Sequence, residues 1–158
     1  MKNPLWRQRL LAVRESWYLE HSVGARDFGV PRPKHTYNDD TANGLQECIQ
    51  DFLKYSGYYV NRINTQGQAR VEKIQLAGGN VRKNVKWTRG TTNKGTADMD
   101  AIIKGKPVKI EVKVGKDRQS KEQRAEEGRV TAAGGYYFIA HDMEQFLQWF
   151  DKTFTPET

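Results

Sequence analysis

The stretch Lys94–Gly115, KGTADMDAIIKGKPVKIEVKVG, decides the fold. Its halves, TADMDAII and PVKIEVKV, are rich in strand-forming residues and meet at KGK, which predicts two strands joined by a short hairpin connection. Side chains alternate between the two faces of a strand. Val108, Ile110, Val112 and Val114 therefore share a face suited to packing on a helix, while Lys109, Glu111 and Lys113 share the other. Taken alone, the charged face is the ordinary solvated side of a half-buried strand.

Outward from this hairpin, helix and strand signals follow in a definite order. Trp6, Leu10, Val13 and Trp17 form one stripe of an amphipathic helix over 4–21, with Pro4 suited to its first turn. Gly24 and GVPRPKHTYNDD then read as a linker. The two tryptophans favour packing of this arm on the domain or on a second copy, over contact of Arg7, Arg9 and Arg14 with nucleic acid. A second helix runs over 43–56 with the stripe Leu45, Cys48, Ile49, Phe52 and Leu53, and Gly57 stops it. GYYVNRI, ARVEKIQLAGG and VRKNVKW read as strands ahead of a Gly/Thr/Asn-rich loop, TRGTTNKG. After the hairpin, Ser120 and Gln123 have capping-box spacing, so a helix starts there and ends at Gly134-Gly135. YYFIA is apolar throughout and predicts a buried central strand. DMEQFLQWFDKTF predicts a closing helix capped by Asp142, with Met143, Phe146, Leu147 and Phe150 inward. The predicted fold class is α/β: a central mixed sheet flanked by helices, preceded by an N-terminal helical arm. The predicted division is an arm and linker over 1–40 and a domain over 41–158.

The 158 residues carry a formal charge of +7. Between Asn61 and Lys94 stand eight basic residues, Arg62, Arg70, Lys73, Arg82, Lys83, Lys86, Arg89 and Lys94, against one acid, Glu72. That segment alone equals the charge of the whole chain and predicts contact with a phosphate backbone. A lone cysteine, Cys48, excludes an internal disulfide and points to a reducing compartment. No apolar run approaches a membrane span, and the charged N-terminus does not read as a signal peptide, so a cytoplasmic protein is expected.

The strand before Glu111 carries Asp98 and Asp100. Pairing across KGK brings one of these carboxylates close to Glu111. Crowded carboxylates repel unless a cation lies between them, or one takes up a proton. Oxygen ligands of this kind suit Mg²⁺ or Mn²⁺. Lys113, two residues beyond Glu111, would place an ammonium where charge builds on a phosphate. Asp, Glu and Lys together are the parts of metal-assisted phosphodiester hydrolysis. His21, His35 and His141 have no zinc-site spacing.

GTAD (95–98), IEVK (110–113), GKDRQSKEQ (115–123) and AAGGYYFIA (132–140), in that order, resemble the PD-(D/E)XK nucleases and among them the VRR-NUC group. The resemblance covers about 41–140, is strongest from Gly95 to Ala140, and implies a restriction-endonuclease-like core. It implies that Asp98 and Glu111 are metal ligands, that the Val112 carbonyl is a third, and that Lys113 is the catalytic lysine. Gln123 matches a helical glutamine often found near such sites; its other reading is the capping box alone. Asp100 has no counterpart and is either a supporting acid or solvated. The family carries a glutamate near the start of the first core helix. Here that helix opens TANGLQECIQ, which leaves open whether Asn43, Glu47 or neither reaches the metal. The resemblance implies a Mg²⁺- or Mn²⁺-dependent DNA endonuclease of bacterial or phage setting. Small members resemble Holliday junction resolvases, which implies a homodimer acting on branched DNA. The alternatives are a restriction-type, flap or replication-associated nuclease, and a nucleic-acid-binding protein with a silent site.

Overall fold

The computed structural model describes residues 4–22, 28, 34–63, 68–75, 81–88 and 95–155. Its elements are α1 (Leu5–His21), α2 (Ala42–Tyr55), β1 (Tyr59–Arg62), β2 (Gln68–Gln75), β3 (Val81–Thr88), β4 (Met99–Ile103), β5 (Lys106–Val112), α3 (Lys121–Ala132), β6 (Tyr136–Ala140) and α4 (Met143–Phe154). They form the predicted α/β architecture, with a four-stranded mixed sheet in the order β1-β4-β5-β6.

The β4–β5 hairpin is the centre of that sheet. Lys104 and Gly105 have φ of 48° and 75°, the left-handed pair that a two-residue hairpin turn needs to match strand twist. The antiparallel register pairs Asp100 with Lys109 and Met99 with Ile110. Met99, Ala101, Ile103, Val108, Ile110 and Val112 are buried on one face. Against them lie Leu45, Ile49, Phe52 and Leu53 of α2 and Met143, Phe146 and Phe150 of α4, in one continuous core. Thr41 caps α2 through the Gly44 N–H, and Asp142 caps α4 through the Gln145 N–H. Burial pushes the Cys48 thiol up to about 12, so this core cysteine is unreactive.

The α1 arm belongs to this core. Trp6 and Leu10 are buried in it, and Arg9 donates two hydrogen bonds to Asp151 of α4, at 2.6 and 2.7 Å. The described part of the linker is also held: Tyr37 is buried and donates to Asp51, and Asp39 accepts from the Met143 N–H.

Two expectations are corrected. β6 is an edge strand, not a central one. It runs parallel to β5 after the α3 crossover, and four of its five residues are only half buried. Its apolar run reflects helices near both faces, not strands on both sides. β2 and β3 are strands as read, but they pair with each other as a separate two-stranded ribbon rather than as members of the central sheet.

Candidate functional site

The site lies where β4 begins and β5 ends. Register continued one step beyond Met99–Ile110 sets 98 opposite 111. Asp98 sits at the bend entering β4. Its carbonyl accepts from the Ile63 N–H at 2.7 Å and its Oδ2 from the Val112 N–H at 2.8 Å, so backbone and side chain are both fixed. Gly95, three residues earlier, has φ 87°, and a Cβ there would come within 2.6 Å of the Glu122 backbone. The approach to Asp98 is therefore packed directly on the first turn of α3.

Glu111 is 2% exposed, an unusual position for a carboxylate. Its Oε1 receives the Lys113 ammonium at 2.8 Å and the side-chain N–H of Gln123. Its Oε2 is buried with no hydrogen-bond partner among the described residues. Burial raises the Glu111 pKa above the ordinary carboxylate value, and the charge of Asp98 raises it further against the opposing influence of Lys113 and Gln123. Lys113 is 8% exposed; burial favours its neutral form, but Glu111 and Asp117, the latter at 3.3 Å, outweigh this and raise its pKa. The Lys113 N–H donates to the Ala140 carbonyl at 2.9 Å, and its carbonyl accepts from His141 Nδ1 at 2.7 Å. His141 thus serves as a backbone clamp beside the site.

The full capping box of Ser120 and Gln123 forms, and Gln123 reaches Glu111 as well. The two readings of this residue are therefore compatible. Asp98, Glu111, Val112, Lys113, Asp117 and Gln123 line a cavity of about 630 Å³, together with Ala42, Asn43, Gln46, Arg62 and Ile63.

The remaining candidates divide clearly. Asn43 lines the cavity, and its Oδ1 accepts from Arg62 at 2.7 Å. Glu47 does not line it; its carboxylate lies 3.3 Å from His35. Asp100 does not line it either and instead pairs with Lys109 at 2.6 Å. On the β2–β3 ribbon, register sets Arg70 opposite Lys86, Lys73 opposite Lys83 and Arg82 opposite Ile74. Arg89 and Lys94 lie outside the described residues.

Gln46, Ile63 and Asp117 line the cavity and were not anticipated. Gln46 is 7% exposed, and its Oε1 is buried without a hydrogen-bond partner among the described residues. Helical geometry, at about 100° per residue, sets Gln46 only about 20° from Leu53 of the apolar stripe and Glu47 on the opposite side. That border position was the available signal.

The residues were tested for fit to a divalent ion. Two buried acceptors without donors, Glu111 Oε2 and Gln46 Oε1, line the same cavity, and the two carboxylates raise the energy of each other's charge. A cation would satisfy both conditions. Among the described residues, no three His, Cys, Asp or Glu side chains form a ready-made metal cluster. The fit is therefore to an ion that keeps several waters and takes few protein ligands, as Mg²⁺ does.

No model of a known protein family matches the chain, and no curated protein matches it. No helix among the described residues is long and apolar enough to cross a membrane.

Proposed function

We propose that the chain is a Mg²⁺- or Mn²⁺-dependent endonuclease that hydrolyses DNA phosphodiester bonds. The observation that carries this reading is the shared cavity of Asp98, Glu111, Lys113 and Gln123, in which a buried carboxylate oxygen has no protein donor. Asp98, Glu111 and the Val112 carbonyl would hold the ion. When bound, the ion polarises a phosphate oxygen and lowers the pKa of a coordinated water. Gln123 and the fixed backbone of Asp98 keep the two carboxylates aligned. Lys113 carries its ammonium at the cavity wall, where it offsets charge building on the phosphate in the transition state. Arg62, held by Asn43 at the cavity, and the basic ribbon would grip the backbone, a mode that reads charge more than sequence.

The finer reading is a structure-specific enzyme acting on four-way junctions as a homodimer, since paired symmetric cuts need two sites related by a two-fold axis. It rests on the family resemblance. Four-way, flap and linear DNA, each incubated with Mg²⁺ and with EDTA, separate the readings. Preferential, Mg²⁺-dependent cutting of the four-way junction supports the resolvase reading. Equal or greater cutting of flap or linear DNA replaces it with the restriction-type or flap reading. Binding with no cutting of any substrate marks a silent site, a reading favoured by the outward turn of Glu47.

A further inference from the structure

Gln46 violates the rule that a buried amide finds partners, and it does so at the cavity. A leucine on the border of the α2 stripe would pack without a lone oxygen; the chain keeps a glutamine whose Oε1 meets no donor. Glu111 Oε2, in the wall of the same cavity, is in the same state. Both atoms are acceptors, so neither satisfies the other. An occupant of the shared cavity that satisfies both would bring positive charge to the carboxylate and a hydrogen to the amide. A hydrated divalent cation brings both.

We infer that Gln46 is a positioning residue for the ion: its Oε1 accepts a hydrogen bond from a water in the ion's shell. The inference rests on the ion-binding reading above and adds to it a contact from α2. The contact is neutral. Asp98 and Glu111 are already partly offset by Lys113, so the cavity binds a free ion weakly and favours one that keeps its water. The neutral amide supplies orientation without adding charge.

The test is Mn²⁺ titration of the DNA-free protein, read as the electron paramagnetic resonance signal of free Mn²⁺, with thermal melts in EDTA alongside. Wild type is compared with Gln46→Leu, Gln46→Glu and Glu111→Gln, the last setting the baseline for adventitious binding. Loss of an outer contact of this kind weakens metal affinity by about 10-fold or more. Gln46→Leu is therefore expected to bind Mn²⁺ about 10-fold more weakly while melting at or above the wild-type temperature, because the lone buried oxygen is gone. Gln46→Glu is expected to bind about 10-fold more tightly. Gln46→Leu with wild-type Mn²⁺ affinity, beside a Glu111→Gln variant that has lost it, overturns the inference and leaves the ion site standing. Gln46→Leu that keeps Mn²⁺ affinity but loses DNA affinity assigns the amide to a phosphate instead, and also overturns it. Wild type indistinguishable from Glu111→Gln at millimolar Mn²⁺ overturns the ion-binding reading and this inference together.

Discussion

Lys113→Met removes a buried ammonium while keeping most of the side chain's bulk. Glu111, 2% exposed, then loses its 2.8 Å partner and keeps only Gln123 as a side-chain donor. Burial and Asp98 already hold its pKa above the ordinary carboxylate value, and the hydrogen bond from Lys113 is the largest influence opposing them. In the variant the pKa rises further. Stability linked to a carboxyl raised in the folded state is fully present below its unfolded pKa and is lost as pH climbs through the folded one. The deficit of Lys113→Met relative to wild type is therefore small at pH 4.5 and grows with pH. Removing one partner of a buried pair costs about 3–5 kcal/mol, and proton uptake by Glu111 limits the loss to the lower end, about 3 kcal/mol at pH 8. At about 2–4 °C per kcal/mol for a chain of this size, Tm falls by roughly 6–12 °C. Circular-dichroism melts in EDTA at pH 4.5 and pH 8 measure it, with Glu111→Gln/Lys113→Met as the control whose deficit does not change with pH. An equal deficit at both pH values, or a double variant as pH-sensitive as the single one, refutes the argument.

Gly95→Ala places a Cβ within 2.6 Å of the Glu122 backbone at a φ of 87°. The left-handed strain alone costs about 1–2 kcal/mol, so Tm is expected to fall by at least roughly 2–8 °C. Cutting is expected to fall with it, because the loop carries Asp98. Reversing two charges on the ribbon, Lys73→Glu with Lys83→Glu, is expected to flatten the slope of log affinity for DNA against log salt by about 2, measured by fluorescence anisotropy. Asp151→Asn breaks the double hydrogen bond from Arg9, which holds the Asp151 pKa below 3.8. Both side chains are substantially exposed, so the loss at neutral pH is about 0.5–1 kcal/mol, and it disappears as pH falls below 3.8 through the folded value.

Local signals were legible in the sequence. The Lys104-Gly105 turn, the Ser120–Gln123 capping box and the Asp142 cap each follow from a few adjacent residues, and each forms as read. The α2 and α4 stripes were equally legible, because burial of one helical face follows from period alone. Choice of strand neighbour was not legible. The alternation of β2 and β3 shows that they are strands but not that they pair only with each other, and the apolar run of β6 has the same composition at an edge as at a centre. At the site, the GTAD motif set Asp98 apart from Asp100, but the partner of Asp100 was legible only in three dimensions, where Lys109 takes it. Gln46 escaped notice because a polar residue on the border of a stripe usually faces solvent; here the cavity buries it.

The most direct test of the central claim is a single-turnover cleavage assay on end-labelled DNA, with wild type and Glu111→Gln side by side in Mg²⁺ and in EDTA. The account predicts product from wild type in Mg²⁺, none in EDTA, and none from Glu111→Gln in either, although the variant still binds the DNA. Product from wild type in EDTA, or product from Glu111→Gln at the wild-type rate, would contradict it.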